Sequence, residues 1–532
     1  VIPSPIGYAH VITFTTHKTL IGPRGACILT TDAALSRKID KAVFPGEQGG
    51  PHVHIFAALA TMFRFARTEP FKELQQQILD NCQALTNQLQ ARGLKISYGG
   101  TNTHLANLDC KTIRGSDGTT LSGDMAARIL DVAGIVLNRN TIPGDKTALF
   151  ASGIRFGTPW MTQRGLKEDD MREVANIMAD VLFAIQPYSV ETRKGLATRA
   201  KVDFVVLENA KLRVRAIAER AGFDGITTKS GYPHHFYIDD QPASKSSWVG
   251  LTLKGVDARH FVEYSFSSEV NALQKGQSQN TSLTTPQGVV NGVLTYLMPG
   301  SYQFDLKREQ FGLAATFLRD LSDGYIAFDN DIPRRIPGPM VIEEAAATRA
   351  TEVQGEAASQ LKPYYIGKPA GNGTALPEFK WDEKESSELL RTPLYEVHKS
   401  MGAKMVPFAG WEMPVWYTSV IEEHLACRNA AGLFDVSHMG VLQAEGPEAS
   451  LFLDSVCGND IRSLAVGESC YTQFLDPHAN VIDDTLVYRR GNEVYLVVVN
   501  ASNDAKDWAW LNAVREGKVM VDAAQPWVKA FG

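Results

Sequence analysis

At 532 residues and 58.3 kDa the chain is long enough for three or four domains, each able to bury its own core. It is 44% hydrophobic and 21% charged with a net charge of −6, which gives no reason to expect nucleic acid or an anionic membrane as a partner, and no apolar run approaches the ~18 residues of a membrane span. Six cysteines without CxxC spacing or histidine partners argue against zinc or a disulfide framework and read as reduced, buried thiols of a cytoplasmic protein. Val1 opens inside a loop and strand, and the chain stops at Gly532 with no closing helix, so the sequence reads as an internal piece of a longer polypeptide.

In chain order, a β-prone run from Tyr8 to Phe14 feeds Thr15, Thr16, His17 and Lys18 into a turn rich in glycine and proline. A lysine set against apolar side chains and hydroxyls can lose its proton and attack an aldehyde, as a pyridoxal-phosphate Schiff base requires; the alternative is an exposed loop lysine. The run Phe44–His52 contains Gly49 and Gly50, whose backbone can approach an anion closely or simply make a tight turn. Helices are predicted over 53–67, 70–93 and 122–133, with a strand, polar turn and second strand over 95–109. Arg155 stands between Gly153 and Gly157 on a short apolar strand, suited either to a substrate carboxylate or to a structural ion pair. Helices over 167–186 and 203–221 close this part.

Four motifs here resemble the C-terminal half of serine hydroxymethyltransferase, a fold-type I pyridoxal-phosphate enzyme. They are Thr15–Gly25, Phe44–Pro51, Asn140–Pro143 and Ser152–Pro159. The resemblance implies that Lys18 is the Schiff-base lysine beside His17, that Arg155 clamps the substrate carboxylate, that Gly49 and Gly50 reach the phosphate of a neighbouring subunit's cofactor, and that Asn140 touches folate. A dimer or higher homo-oligomer follows from the shared phosphate site. Ile21, Ala26, Asn102, Thr103 and Trp160 depart from the family pattern. The family's pyridinium-binding aspartate, stacking histidine and first phosphate loop precede the lysine motif, and this sequence does not contain them.

From about residue 224 the texture turns to β, with strands predicted at 237–238, 249–253 and 289–297. An internal repeat is present: Gly255, Ala258, Phe261, Leu273, Gly276, Thr281 and Pro286 recur as Gly446, Ala449, Phe452, Leu464, Gly467, Thr472 and Pro477. The spacing then rises by one, laying Val289–Gly292 over Val481–Asp484, so the first copy has lost both carboxylates and reads as structural. Residues 343–390 look linker-like, beginning with a short solvated helix at Glu343 and continuing as a low-complexity tether over 368–374 and 382–388.

After Thr392, a helix presents Leu394, Val397, His398 and Met401 on one face, and His398 there reads as a satisfied packing residue. An apolar turn spans 406–415, and a helix spans 420–431. Asp435, Ser437 and His438 evoke a catalytic triad, but strand alternation would put His438 on the opposite face. The predicted strands 481–488 and 494–500 pair as a hairpin. Period two then gathers Asp484, Leu486 and Tyr488 with Val498 and Asn500 on one face, suited to a flat nitrogen-rich heterocycle or to a capped barrel interior.

Thr392–Tyr395, Lys404–Trp411, Gly432–Met439 and Ile482–Asp484 resemble the N-terminal part of the glycine-cleavage aminomethyltransferase, the T-protein. The resemblance implies that Asp484 (Asp483 if the register is off by one) acts near the reacting folate nitrogens, with Tyr471, Leu486, Tyr488, Val498 and Asn500 lining the pterin pocket. The expected fold is multidomain, α/β and α+β: a serine hydroxymethyltransferase-like half over 1–222, a degenerate T-protein-like copy over 223–342, a linker over 343–390 and a T-protein folate-binding domain over 391–532. The expected function is one-carbon transfer between serine, glycine, tetrahydrofolate and a lipoylated carrier protein, using pyridoxal phosphate and no metal. The alternatives are a non-catalytic folate-binding scaffold and, for the C-terminal part, a relative of folate-dependent demethylases.

Overall fold

The computed structural model describes residues 4–192, 195–222, 247–270, 273–349, 364–368, 374–383 and 388–530, together with 351, 353, 358, 359 and 362. The chain divides into two compact units, one of residues 1–266 and 270–357 and the other of 267–269 and 358–532.

The N-terminal unit opens with a hairpin, β1 (Ile12–Thr15) and β2 (Ala26–Leu29), followed by α1 (Ala33–Lys41) and α2 (Val53–Ala66). Helix α3 (Glu69–Ala91) organises the elements packed around it. Thr68 caps its N-terminus, Pro70 sits in the first turn where no N–H is needed, and Phe71, Ile78, Cys82, Leu85 and Leu89 form a buried stripe. Against it pack helices α5 (Pro159–Gln163) and α6 (Glu168–Ala184) and strand β3 (Leu105–Asp109) of a three-stranded sheet ordered β3, β5 (Gly153–Gly157), β4 (Asn138–Asn140), while α4 (Gly123–Val132) packs on β4, β5 and α6. The segment 95–104, expected as strand and turn, makes an isolated bridge from Ile96 to Leu108 and a single 3-10 turn at Ser97–Gly99 instead of a strand.

Helix α6 stops at Ala184, two residues before the expected end. Pro187 disfavours helix at Gln186, and the chain leaves as β6 (Ile185–Thr192), pairing with β7 (Gly195–Asp203). Asp203 caps α7 (Phe204–Arg220) by accepting from the Val206 N–H at 2.9 Å. A five-stranded sheet comes next, ordered β13 (Val341–Ala345), β8 (Trp248–Lys254), β11 (Ser301–Lys307), β10 (Gly288–Met298), β9 (Ser278–Thr285), with α8 (Ala258–Ser265) after β8 and α9 (Phe311–Asp323) after β11. A short β12 (Ile326–Ala327) returns to pair in parallel with β7. The strand expected at 237–238 lies outside the described residues. The helix expected from Glu343 is not formed: residues 341–345 are β13, and the segment beyond it crosses the sheet. Thr348 Oγ1 and the Arg349 N–H donate to Asp305 at 2.6 and 3.0 Å, and the Val353 N–H donates to Asn280 at 2.9 Å. The tether expected over 368–374 and 382–388 falls mostly outside the described residues.

In the C-terminal unit, α10 (Tyr395–Ser400) precedes β14 (Lys404–Phe408) and β15 (Trp411–Trp416), a hairpin where an apolar turn was expected. Helix α11 (Val420–Asn429) leads to a four-stranded antiparallel sheet, ordered β16 (Gly440–Glu445), β19 (Val494–Val499), β18 (Val481–Gly491), β17 (Ser469–Leu475). Helices α12 (Ala449–Val456) and α13 (Asp504–Arg515) contribute to the core on one face of this sheet, with Leu453, Val487, Tyr495, Val497 and Trp510 in it.

The two larger sheets share one plan: strand, helix, three antiparallel strands, helix, in the order β8-β11-β10-β9 and β16-β19-β18-β17. Phe266 bridges Leu283 as Cys457 bridges Phe474, and Leu283 faces Val290 as Phe474 faces Asp483. Val290 and Asn291 therefore stand where Asp483 and Asp484 do, one residue from the alignment read in the sequence. The difference is absorbed at a register irregularity beside Phe474.

Among the charged groups in the N-terminal core, Lys211 of α7 is 1% exposed and lies 2.7 Å from Asp320 of α9 and 2.7 Å from Glu208. Burial pushes Glu208 up to about 7, while the two carboxylates, outweighing burial, hold Lys211 above the ordinary lysine range. Replacing Lys211 by Met strands these carboxylates and is expected to cost about 3–5 kcal/mol in urea denaturation. The double variant Lys211→Met/Asp320→Leu should recover most of that loss.

Candidate functional site

The lysine turn is held by its own backbone. Thr16, fully buried, donates to the Pro23 carbonyl at 2.7 Å, the Gly22 N–H donates to the Thr16 carbonyl, and His17 Nδ1 lies 3.3 Å from the Gly25 carbonyl. Lys18 is exposed, so the apolar setting expected for its amine is not supplied by the described residues. Gln75 of α3 donates to the Thr19 carbonyl at 3.1 Å, and one turn along the same helix the Ile78 carbonyl accepts from Thr158 at 2.7 Å. The turn bearing Lys18 and the end of the strand bearing Arg155 are thus tied to adjacent positions of α3.

Arg155 lies on the central strand β5, opposite Asn107 of β3 and Asn138 of β4, while Asn140 faces Gly153 two positions along the same face. Arg155 and Asn140, both far along the chain from the lysine turn, therefore share one sheet face. The Arg155 side chain is exposed and makes no hydrogen bond or ion pair among the described residues, so the structural ion pair left open by the sequence is not formed. A Cβ at Gly153 would lie 2.3 Å from Ile142, so close strand packing requires glycine there. The Oδ1 atom of Asn107, the residue opposite Arg155 in the sheet, is buried without a donor among the described residues. Asn140 spends its amide on the Thr141 carbonyl at 3.0 Å, and beside it opens a cleft of about 460 Å³ lined by Tyr98, Thr141, Pro143 and Lys146.

Gly49 and Gly50 follow an irregular exposed turn. Gly50 has φ +55°, which favours glycine for conformational reasons, but Gly49 has no positive φ, and a Cβ there would meet no atom within 4 Å. Nothing among the described residues demands glycine at 49. For pyridoxal phosphate the chain thus offers an exposed amine, a free guanidinium and an open glycine turn, a partial fit on one side of a cofactor.

In the C-terminal unit the expected face is assembled as read. The register sets Tyr471 opposite Leu486 and Leu486 opposite Val498, so Tyr471, Asp484, Leu486, Tyr488 and Val498 share the face turned away from the core, with Asn500 just past the end of β19. Tyr471 donates to Asp484 Oδ2 at 3.0 Å and Asn500 Nδ2 to Asp484 Oδ1 at 3.1 Å. Asp483 points the other way and is 4% exposed; it accepts from the Asn500 N–H at 3.2 Å, from Asn500 Nδ2 at 3.0 Å and from Asn503. Asp484 is therefore the accessible carboxylate and Asp483 the buried one that anchors Asn500.

Beneath them lies Asp507, a residue that sequence reasoning missed. It is fully buried and neither oxygen has a hydrogen-bond donor among the described residues. Burial first, then the neighbouring Asp483, push it up to about 8. Burial also pushes Asp483 upward, but donation from Asn500, the proton of Asp507 and Asn503 outweigh it and hold Asp483 below the usual carboxylate range. The signal was available: Asp507, Trp510, Leu511 and Val514 are the buried stripe of α13.

The triad reading falls for a reason other than the one expected. Residues 435–437 are not strand, and Asp435 pairs instead with His398, whose Nε2 lies 2.8 Å from Asp435 Oδ2 while its Nδ1 lies 2.7 Å from the Tyr417 hydroxyl. Against the upward push of burial, hydrogen bonds from His398, the Ser437 N–H and Thr392 hold the Asp435 carboxyl well below its ordinary range. His398 is thus a buried, satisfied residue. Of the helix face expected around it, Leu394, Val397 and Met401 are exposed. All six cysteines are free, and Cys427 is exposed rather than buried.

Comparisons with known proteins match two separate stretches of the chain. Residues 1–178 match the family model described as serine hydroxymethyltransferase, and residues 394–530 match the GCVT N-terminal domain. The chain joins a hydroxymethyltransferase-like part to a T-protein-like part, in a mixed fold of helices and sheets. Among curated relatives, a serine hydroxymethyltransferase of Rickettsia canadensis is 49% identical over 180 residues, covering 34% of this chain and 41% of that protein. One of Nostoc punctiforme is 45% identical over 183 residues, covering 34% and 42%. The chain spans about two-fifths of the length of these relatives. No helix among the described residues is long and apolar enough to cross a membrane.

The Asp483–Asp507 pair predicts a pH dependence of definite sign. Unfolded, Asp507 loses its proton near 3.8; folded, it keeps it to about 8. The stabilisation this group gives is fully present below pH 4 and declines as pH rises to 8. Asp507→Asn, which retains a donor toward Asp483, should remove that decline and gain on the order of 1–3 kcal/mol at pH 8, with no gain at pH 4. Thermal unfolding at the two pH values measures it.

Proposed function

We propose that the chain carries parts of two folate-dependent one-carbon transferases. The hydroxymethyltransferase-like part would interconvert serine and glycine, and the C-terminal part would move a methylene from an aminomethyl-lipoyl carrier protein to tetrahydrofolate, releasing ammonia. The observation carrying this reading is the exposed face on which Asp484 stands with a tyrosine hydroxyl, an amide and apolar side chains.

In the C-terminal part, Asp484 is the carboxylate that a folate nitrogen would meet, acting electrostatically and as a proton holder. Tyr471 and Asn500 fix its two oxygens, and Leu486, Tyr488 and Val498 offer a flat apolar bed to the pterin. In the N-terminal part, Arg155 would bind the amino-acid carboxylate through its planar fork and Asn140 would contact folate. Lys18 and His17 would hold pyridoxal phosphate on one side, with Gly49 and Gly50 meeting the phosphate of a neighbouring subunit's cofactor. When bound, that cofactor supplies an electron sink for the amino-acid carbon. The assembly would be a homodimer or larger, in the cytoplasm, with serine or glycine as substrate.

The five-stranded sheet is proposed as a degenerate copy of the T-protein-like fold with a structural role. Val290 replaces Asp483. The following helices begin equally far from their strands, Leu306 to Phe311 and Val499 to Asp504, so Ala314 stands where Asp507 does. Both members of the buried carboxyl pair are thus exchanged for apolar residues, each fully buried. Ala346, Thr348 and Val353 bond to Gln303, Asp305 and Asn280 of this sheet.

The exposure of Lys18 favours a second reading, a folate-binding scaffold without turnover. Borohydride reduction of the full chain with pyridoxal phosphate, followed by peptide mapping, separates the two: an adduct confined to Lys18 supports the enzyme, and labelling spread over many lysines supports the scaffold. Asp484→Asn is expected to lower aminomethyl transfer by about 10²-fold or more with little change in stability. Unchanged transfer would remove Asp484 from its proposed role.

A further inference from the structure

In the N-terminal unit, α4, β7, the end of α9 and the segment 325–339 line a cavity of about 530 Å³. Its most unusual wall is Lys201, which is 2% exposed. An ammonium has three N–H donors. One of these goes to the Arg334 carbonyl, and the Phe328 ring lies 4.2 Å from the nitrogen. No carboxylate among the described residues forms an ion pair with it. The two acids whose fields favour its charge, Asp329 and Asp331, are both engaged by Arg334 at 3.3 Å. This differs from Lys211, which has two carboxylates at 2.7 Å.

Arg335 lines the same cavity and its side chain has no hydrogen bond or ion pair among the described residues. Arg128, on the α4 wall, is partnered by Asp124 at 2.9 Å. Two acids also line the space, Asp131 and Asp323, and burial, then Asp320, push Asp323 up to about 7, so it is largely neutral below that pH. The balance is positive, and it is positive where a buried ammonium still has unused donors. Taking an ammonium out of water without a counter-charge is costly, and burial lowers Lys201 to about 8. Leu321, Phe328 and Ile336 give the cavity apolar wall.

We propose that this cavity binds a small organic oxyanion, a phosphate ester or a dicarboxylate, with Lys201 and Arg335 as its charged donors. The ligand supplies the counter-charge that the protein omits, and the guanidinium fork suits either oxyanion. The site is separate from Arg155 and from the Asp484 face, and its existence does not depend on the transferase reading.

The test is titration of the full chain with inorganic phosphate and, separately, with glutarate, followed by calorimetry and thermal unfolding at ionic strength matched with chloride. Saturable heat and a Tm rise of a few degrees are expected from at least one of the two. Phosphate alone would identify a phosphate ester as the ligand class, and glutarate alone a dicarboxylate. Lys201→Met should weaken binding roughly tenfold or more. Because Lys201 is buried, Arg335→Leu is the control: Arg335 is exposed, so the variant should keep its resting Tm and still lose about fivefold or more in affinity. No saturable binding of either anion, or binding by both variants equal to that of the parent chain, overturns the proposal.

Discussion

Two adjacent carboxylates on one β-strand cannot share an environment, and the C-terminal unit is arranged around that fact. The alternation of β18 sends Asp484 outward and Asp483 into the core. The buried member then has to be satisfied, and it is, by Asn500, Asn503 and the proton of Asp507. Asn500 is the joint: its amide reaches both Asp483 and Asp484, so the buried network sets the position of the exposed acid.

The five-stranded sheet shows what the same plan looks like without that demand. Val290 and Ala314, both fully buried, stand at the matching positions of that sheet, whereas in the C-terminal sheet removing one acid alone would strand the other. The face of the five-stranded sheet that matches the one carrying Tyr471 and Leu486 is met by Thr348 and Arg349, anchored on the fully buried Asp305. Two sheets of one topology thus differ at a handful of side chains.

In the N-terminal unit, α3 takes the organising part. Its stripe of Ile78, Cys82, Leu85 and Leu89 buries the helix, while Gln75 and Ile78 hold the ends of two segments that are far apart in sequence. Among the described residues of the unit, the buried lysines Lys211 and Lys201 are solved in opposite ways. Lys211 is compensated inside the protein by Asp320 and Glu208; Lys201 is not, and borders a cavity. A folded chain tolerates the first arrangement indefinitely, whereas the second leaves room for something else to complete it.

Local pattern was enough for much of this. Apolar spacing at three and four residues placed α2, α3, α4 and α6 within two residues of their ends, and strict alternation put Asp484, Leu486, Tyr488 and Val498 on one face, because period is a property of the chain itself. What sequence could not decide were the long-range pairings. The partner of Asp435 is His398, 37 positions away; Asp507 meets Asp483 only once α13 packs on the sheet; and residues 341–345 join β8 although their composition suggests a solvated helix. In each case the energy comes from burial and from contacts between segments with no local relation, and only the tertiary structure fixes which segments those are.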